Sequence, residues 1–460
     1  MAISDGGAEV ELEPVSANDG EVEAESTTPQ FGAHHLRIQG RDQSFADPPN
    51  VPEHAEAIRS WLTALVGAEH LSLIIGSGLG VGVAGIATAM SGTGLSMDKV
   101  SFAQEDADSV DAAAQRTAKA AGRGEANIED QLQSALALLA GLEVLEPDSE
   151  RVEAWRTELN TKLIEFATHG LKAERAIRDG MDAGGENGYR AEQALVGFLL
   201  TFASRPPSRE RLNIFTTNYD RLIEYGCDRG GLRVIDRFVG AVEPVFRASR
   251  LDVDLHYNPP GIRGEPRYLE GVIRLCKLHG SLDWRFEGRR LRRIPLAFGA
   301  EDPALTKEAL ERLIIYPNAA KDVETALYPY AELFRDLSAA LCRPNGVLVT
   351  FGYGFGDDHI NRVIRDMLTL RSTHLMVIAF SDPGDRLANF LAAVAPEQYS
   401  LLLGSHFGDI ATIVENYLPQ AGAEQLLLRQ ARRAQALTTF TPTASDGDHT
   451  SFNDGADRQE

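Results

Sequence analysis

Four short stretches combine side chains that can move a proton or orient a hydroxyl with glycines that let backbone come close to a ligand. "FTTNYDRLIEYG" sets Thr216, Thr217, Asn218 and Asp220 almost side by side, and "CKLHGSLDW" puts His279 directly before Gly280. "FGYGFGDDHINRVIRDML" carries Gly352, Gly354, Gly356, Asp357 and Asn361, and "IIGSGLG" carries Gly76, Ser77 and Gly78. A histidine titrates near neutral pH and can act as a general base, and an asparagine offers a donor and an acceptor on one rigid amide. Glycine-rich turns that open helices expose backbone N–H groups to an anion such as a phosphate. Each stretch also has a plainer reading. Asn218 or Asp220 would serve as a helix cap, His279 as a structural histidine, and Gly280 as a residue that turns the chain.

All four lie where a strand should stop. Apolar runs "LSLII" (71–75), "LNIFTTN" (212–218), "VIRLCKLHG" (272–280), "GVLVTFGYG" (346–354), "HLMVIAF" (374–380) and "YSLLLG" (399–404) alternate with helical patterns. That alternation predicts an α/β fold, a Rossmann-like and mostly parallel sheet covered on both faces, with ligands at the carboxyl ends of its strands. Between the first two strands lies a helical insertion, about 98–205, in which Asn127 caps "NIEDQLQSALALLAGL" and Ser149 caps "ERVEAWRTELNTKLIEFATHG". Ile128, Leu132, Leu136 and Leu139 fall on one face of the first of these helices. A second, loop-rich insertion spans about 240–270. The run from Leu71 to Met90 carries no charge and is long enough to cross a bilayer, but five glycines disfavour a helix there and favour a strand, a turn and a helix from about Val81.

The chain has 460 residues and a formal net charge of −22, which argues against a general nucleic-acid binder. Its three cysteines contain no CxxC pair, so a four-cysteine zinc site is excluded within one chain and a disulfide framework is not expected. Residues 1–50 are acidic and aperiodic and read as a disordered tail, as do residues 439–460; a helix is expected at 421–438. The acidic amino terminus is unlike a signal or transit peptide and points to the cytoplasm, with no membrane association. The basic run "RRLRR" ending at Arg293 reads first as a solvated loop, and otherwise as a dock for an acidic partner or a nucleic acid.

Taken in order, Gly-Ser-Gly after the first strand, TTNxD, His-Gly and GYGFGDDHIN resemble the sirtuin family, and most of all its bacterial branch that hydrolyses NAD in antiphage defence. The resemblance covers roughly Ala55 to Leu418 and implies a sirtuin-like NAD-binding domain over 51–420. It implies that Asn218 and His279 are catalytic, and that Gly76, Ser77, Gly78, Thr217, Asp220, Gly352, Gly354, Gly356, Asp357 and Asn361 bind NAD as substrate. "NIEDQL" also looks like a short element common in the defence branch. The sequence departs from the sirtuin deacylases: "GIATAM" lacks the proline, phenylalanine and arginine of their first motif, Thr217 stands where they carry glutamine, and their zinc ribbon is missing. Cleavage of NAD to nicotinamide and ADP-ribose without a metal is therefore expected, with a protein deacylase or a nucleotide-sensing subunit as the alternatives. The same branch implies a homo-oligomer and a partner such as a ring-forming ATPase translocase, with NAD depletion leading to abortive infection.

Overall fold

The computed structural model describes residues 28–90, 97–120, 122, 124–206, 208–248, 254–257, 267–288, 290–301, 313–315 and 328–419. Among them, nine strands form one sheet: β2 (Arg41–Phe45) and β1 (His34–Ile38) at one edge, then β16, β15, β14, β3, β4, β10 and β5. Its parallel body comprises β3 (His70–Ile75), β4 (Leu212–Thr216), β5 (Arg233–Ile235), β10 (Val272–Lys277), β14 (Gly346–Phe351), β15 (His374–Ala379) and β16 (Tyr399–Leu403). The α/β, Rossmann-like reading is what the structure shows. Successive residues of β3 point to opposite faces, so Leu71, Leu73 and Ile75 enter one core and Ile74 the other. Because both faces are buried, the strand reads as an unbroken apolar run.

Helices α1 (Val51–Val66), α2 (Gly78–Thr88), α6 (Gly185–Ala203) and α7 (Leu222–Gly230) cover the first face, supplying Leu62, Leu79, Phe198 and Ile223. Helices α8 (Tyr330–Leu341) and α9 (Asp358–Leu368) cover the second with Leu333, Leu337, Ile360 and Ile364. A smaller sheet runs β13 (Leu313–Ile315), β11 (Gly280–Glu287), β12 (Arg290–Arg293), β7 (Val245–Phe246) and β6 (Phe238–Val239). Within the 240–270 stretch, β8 (His256–Tyr257) pairs with β9 (Arg267–Tyr268).

The helical insertion has a core of its own. Helices α3 (Ala107–Ala120), α4 (Ile128–Leu145) and α5 (Glu150–Asp182) pack Val110, Leu132, Leu139, Trp155, Leu159 and Phe166 together, and this cluster takes in Tyr219 and Leu282 from the sheet domain. Asn127 caps α4 in a reciprocal capping box with Asp130, and the Ser149 hydroxyl caps α5, as expected.

Three expectations need correction. Residues 34–45, read as part of a disordered tail, form the hairpin β1 (His34–Ile38) and β2 (Arg41–Phe45), which adds to the sheet antiparallel to β16. Its residues His34, His35, Leu36 and Ile38 are buried although two are polar, which hid the strand; β2 is mostly exposed and hydrophilic, as suits a sheet edge. Helix α2 begins at Gly78 rather than near Val81. Helix α5 runs past Gly170 to Asp182, because that glycine stops nothing: a Cβ there would come within 2.8 Å of the Leu282 side chain. Among the described residues no helix is long and apolar enough to cross a membrane. The run from Leu71 to Met90 is β3, a turn and α2. In the basic run, Leu291 is buried, Arg292 pairs with Glu243 and Glu287, and Arg293 pairs with Asp236. Residues 1–27, the expected helix 421–438 and the tail 439–460 lie outside the described residues.

Candidate functional site

The sheet changes direction of winding at β3, which has β4 on one side and β14 on the other. A crevice opens at the carboxyl ends of strands at such a point. Here it is a cleft of about 230 Å³ lined by Gly76, Ser77, Thr217, Asn218, Asp220, His279, Gly354, Gly356 and Asp357 from the expected set, with Gly80, Val81, Met97, Asn127, Glu129, Tyr219 and Tyr353 beside them.

Asn218 is 9% exposed and donates its side-chain amide to the Gly76 carbonyl at 2.9 Å. Its own N–H is accepted by the Thr216 hydroxyl at 3.0 Å, and that hydroxyl donates to the Ile75 carbonyl at 2.8 Å. The end of β4 is thereby tied to the end of β3, and Asn218 is no helix cap. Nor is Asp220, since the N-cap residue of α7 is Arg221; the Asp220 carboxylate accepts the Leu222 N–H at 3.0 Å at the start of that helix.

His279 follows β10 by two residues and is 7% exposed. Gly280 has a φ of +93°, a conformation that a side chain would strain, and this lets the chain pass straight from β10 into β11 with the imidazole left at the strand end. The ring Nε2 lies 2.9 Å from a carboxylate oxygen of Asp357. If Nε2 donates there, the neutral ring carries its acceptor at Nδ1, and the aspartate fixes the tautomer and orientation. Asp357 stands at the amino end of α9 but makes no capping hydrogen bond. Sequence reasoning assigned it to the dinucleotide; the structure turns its carboxylate to the histidine.

Three of the expected binding residues, Gly78, Gly352 and Asn361, are not among the described residues that line the cleft. A Cβ on Gly76 would lie 2.3 Å from the Gly352 carbonyl oxygen and one on Gly78 would lie 2.6 Å from the Gly352 Cα, so the two glycine turns cross in contact. Gly76 still lines the cleft, whereas Gly78 and Gly352 do not. Asn361 is 3% exposed and also outside it. Its amide donates to the Phe355 carbonyl at 2.9 Å and its side-chain oxygen accepts from the Tyr353 hydroxyl at 3.0 Å, holding a loop in which Phe355 has a φ of +50°.

Behind the cleft, Arg221 and Glu174 form a buried pair. Glu174 on α5 accepts the Arg221 backbone N–H at 2.8 Å, its Nε at 3.1 Å and the Gly299 N–H at 3.0 Å, and also meets the guanidinium Nη2. The insertion is thus bolted to the loop that carries Asn218. Asn127 and Glu129, which reach the cleft from the start of α4, were absent from the expected site; the stretch "NIEDQL" was the only signal for them.

Residues 212–397 match the SIR2-like domain family. No curated protein matches the chain. The match supports a sirtuin-like family for this part of the chain and implies the use of NAD. It takes in Asn218, His279 and the loop from Gly352 to Asn361; the Gly76 turn and the helical insertion lie outside it and join the SIR2-like region through the fold. Among the described residues no group of three or more His, Cys, Asp or Glu is placed to hold a metal ion.

Proposed function

We propose that the chain is an NAD+ glycohydrolase that cleaves the bond between nicotinamide and ribose to give nicotinamide and ADP-ribose. The observation that carries this reading is the placing of Asn218 and of His279, itself held by Asp357, on one cleft between two glycine turns. Breaking the bond sends its electron pair to the pyridinium nitrogen, so nicotinamide leaves neutral and positive charge develops on the ribose. The leaving group needs no acid. Water completes the reaction and must lose a proton, which the imidazole of His279 takes. The Asn218 amide, already anchored through its N–H to Gly76, has its oxygen to orient a ribose hydroxyl or the water. Gly76, Ser77, Gly354 and Gly356 supply close-lying backbone for the dinucleotide, and Thr217 and Asp220 flank its nicotinamide end. The resemblance to the antiphage branch supplies the setting: depletion of NAD+ under the control of a partner or signal, in a homo-oligomer that works with a partner such as an ATPase translocase.

The test is product analysis of the purified chain with NAD+, with and without an acetylated peptide. Nicotinamide and ADP-ribose formed without peptide, and lost in Asn218→Ala, are expected. A product that carries the acetyl group and requires the peptide would make the chain a deacylase, and binding of NAD+ without turnover in any assembly would make it a sensor.

A further inference from the structure

Among the described residues, those lining the cleft include three carboxylates and no lysine or arginine. Two of the carboxylates are engaged by the scaffold: Asp357 by His279 and Asp220 by the first turn of α7. The third, Glu129, enters from the helical insertion, outside the SIR2-like match. Its carboxylate accepts the Tyr219 hydroxyl at 2.8 Å. Tyr219 is 2% exposed, and burial, with the Glu129 charge next in effect, pushes its phenol far above the usual range, so it remains a neutral donor. Glu129 is therefore held in place by a partner that leaves its charge uncancelled, one residue from Asn218 through Tyr219. Position follows from the fold as well: Ile128 is buried in the insertion core and the Asn127–Asp130 capping box fixes the first turn of α4, which leaves Glu129 facing the cleft.

An uncancelled carboxylate in a partly desolvated cleft favours a cation over a neutral group of the same shape. The oxidised nicotinamide ring is a cation; the reduced ring is neutral, and ADP-ribose lacks the nicotinamide altogether. We propose that Glu129 is the specificity-determining carboxylate of this cleft, the counter-charge through which the helical insertion makes it take the oxidised, cationic dinucleotide over the reduced one. The inference rests on the NAD+ reading above and adds the residue that selects the redox form.

Calorimetric binding to the full chain tests it with three probes: carba-NAD+, a cationic analogue that resists cleavage, NADH, and ADP-ribose. The wild type should bind carba-NAD+ about tenfold or more tighter than NADH, the effect of roughly 1.4 kcal/mol. Glu129→Gln should bring that ratio close to one with ADP-ribose affinity unchanged, which also reports that the variant is folded. If Glu129→Gln loses ADP-ribose binding as well, Glu129→Asp takes its place; it keeps the charge but withdraws it by one methylene, and the ratio should fall without vanishing. A ratio unchanged in whichever variant retains ADP-ribose binding overturns the proposal, as does a wild type that binds ADP-ribose yet does not distinguish carba-NAD+ from NADH. Either result leaves the hydrolase reading intact. A wild type that binds none of the three overturns that reading and this inference with it.

Discussion

His279 and His374 sit at opposite ends of the same sheet. His279 follows β10 at the carboxyl end, lines the cleft and meets a carboxylate at 2.9 Å. His374 opens β15 at the amino end, half-buried, with its Nε2 at 2.9 Å from the Ser400 hydroxyl and its ring edge-on to Trp61. Both are ordered by hydrogen bonds and largely removed from water. What separates them is where the strand direction puts them and whether the partner is charged. An anionic partner stabilises the imidazolium that forms when the ring takes a proton, whereas a neutral hydroxyl in an apolar surround does not. Residue type and burial are therefore poor guides to a working histidine, and the strand end is a good one.

The largest effect expected of this contrast is on turnover. His279→Ala should lower NAD+ cleavage by about 10²- to 10⁴-fold, the usual share of general acid–base catalysis, while His374→Gln should leave it unchanged near neutral pH. Equal rates in the two variants would remove His279 from the mechanism. Buried charge outside the cleft lining should behave differently again. Glu174 is 0% exposed and Arg221 5%, and removing one member of such a pair leaves the other uncompensated, at about 3–5 kcal/mol. Glu174→Gln should thus show its effect in denaturant or thermal unfolding; an unfolding midpoint equal to that of the wild type would mean that the pair is not what fastens α5 to the Asn218 loop. A smaller change is expected at the partner of the active histidine. Asp357→Asn keeps the shape but forfeits a charge-assisted hydrogen bond of about 1.5–3 kcal/mol, which corresponds to a fall in kcat of roughly 10- to 100-fold. If kcat held and only KM rose, Asp357 would be a substrate ligand, as sequence reasoning first had it.

Much of this site was legible because parallel strands announce their ends. The apolar runs and the glycines after them located β3, β4, β10 and β14, and with them Asn218, His279 and the loop at Gly354. The partners that tune those groups were not legible, since each is set by contacts distant in sequence: Asp357 by the approach of α9 to the end of β10, Glu129 by the packing of the insertion on Tyr219. Glycine carried less information than its position suggested. The quoted helical stretch ended at Gly170, where the glycine is a packing contact inside a longer helix, and at Gly78 and Gly352 the close approach that glycine permits is, in the structure, between two stretches of backbone. The β1–β2 hairpin escaped notice because its buried strand begins with two histidines and its outer strand is polar.

His374 provides the last and smallest test, one of stability rather than turnover. The Ser400 hydroxyl accepts the Trp61 indole N–H at 2.9 Å and also lies 2.9 Å from Nε2 of His374, so the imidazole is held by an uncharged partner. Burial lowers the pKa of this imidazole from 6.5 to about 4, against a smaller opposing effect of a backbone hydrogen bond at Glu397. Because the folded value lies below the unfolded one, the unfolded chain binds more protons between the two. The contribution of His374 to stability is therefore complete above about pH 6.5, is lost progressively as the pH falls towards about 4, and changes no further below that. Thermal midpoints measured across this range should fall more steeply for the wild type than for His374→Gln, which can neither gain the charge nor lose it. Parallel profiles would show that the ring titrates alike in both states, and the neutral end of the comparison would then lose its physical basis.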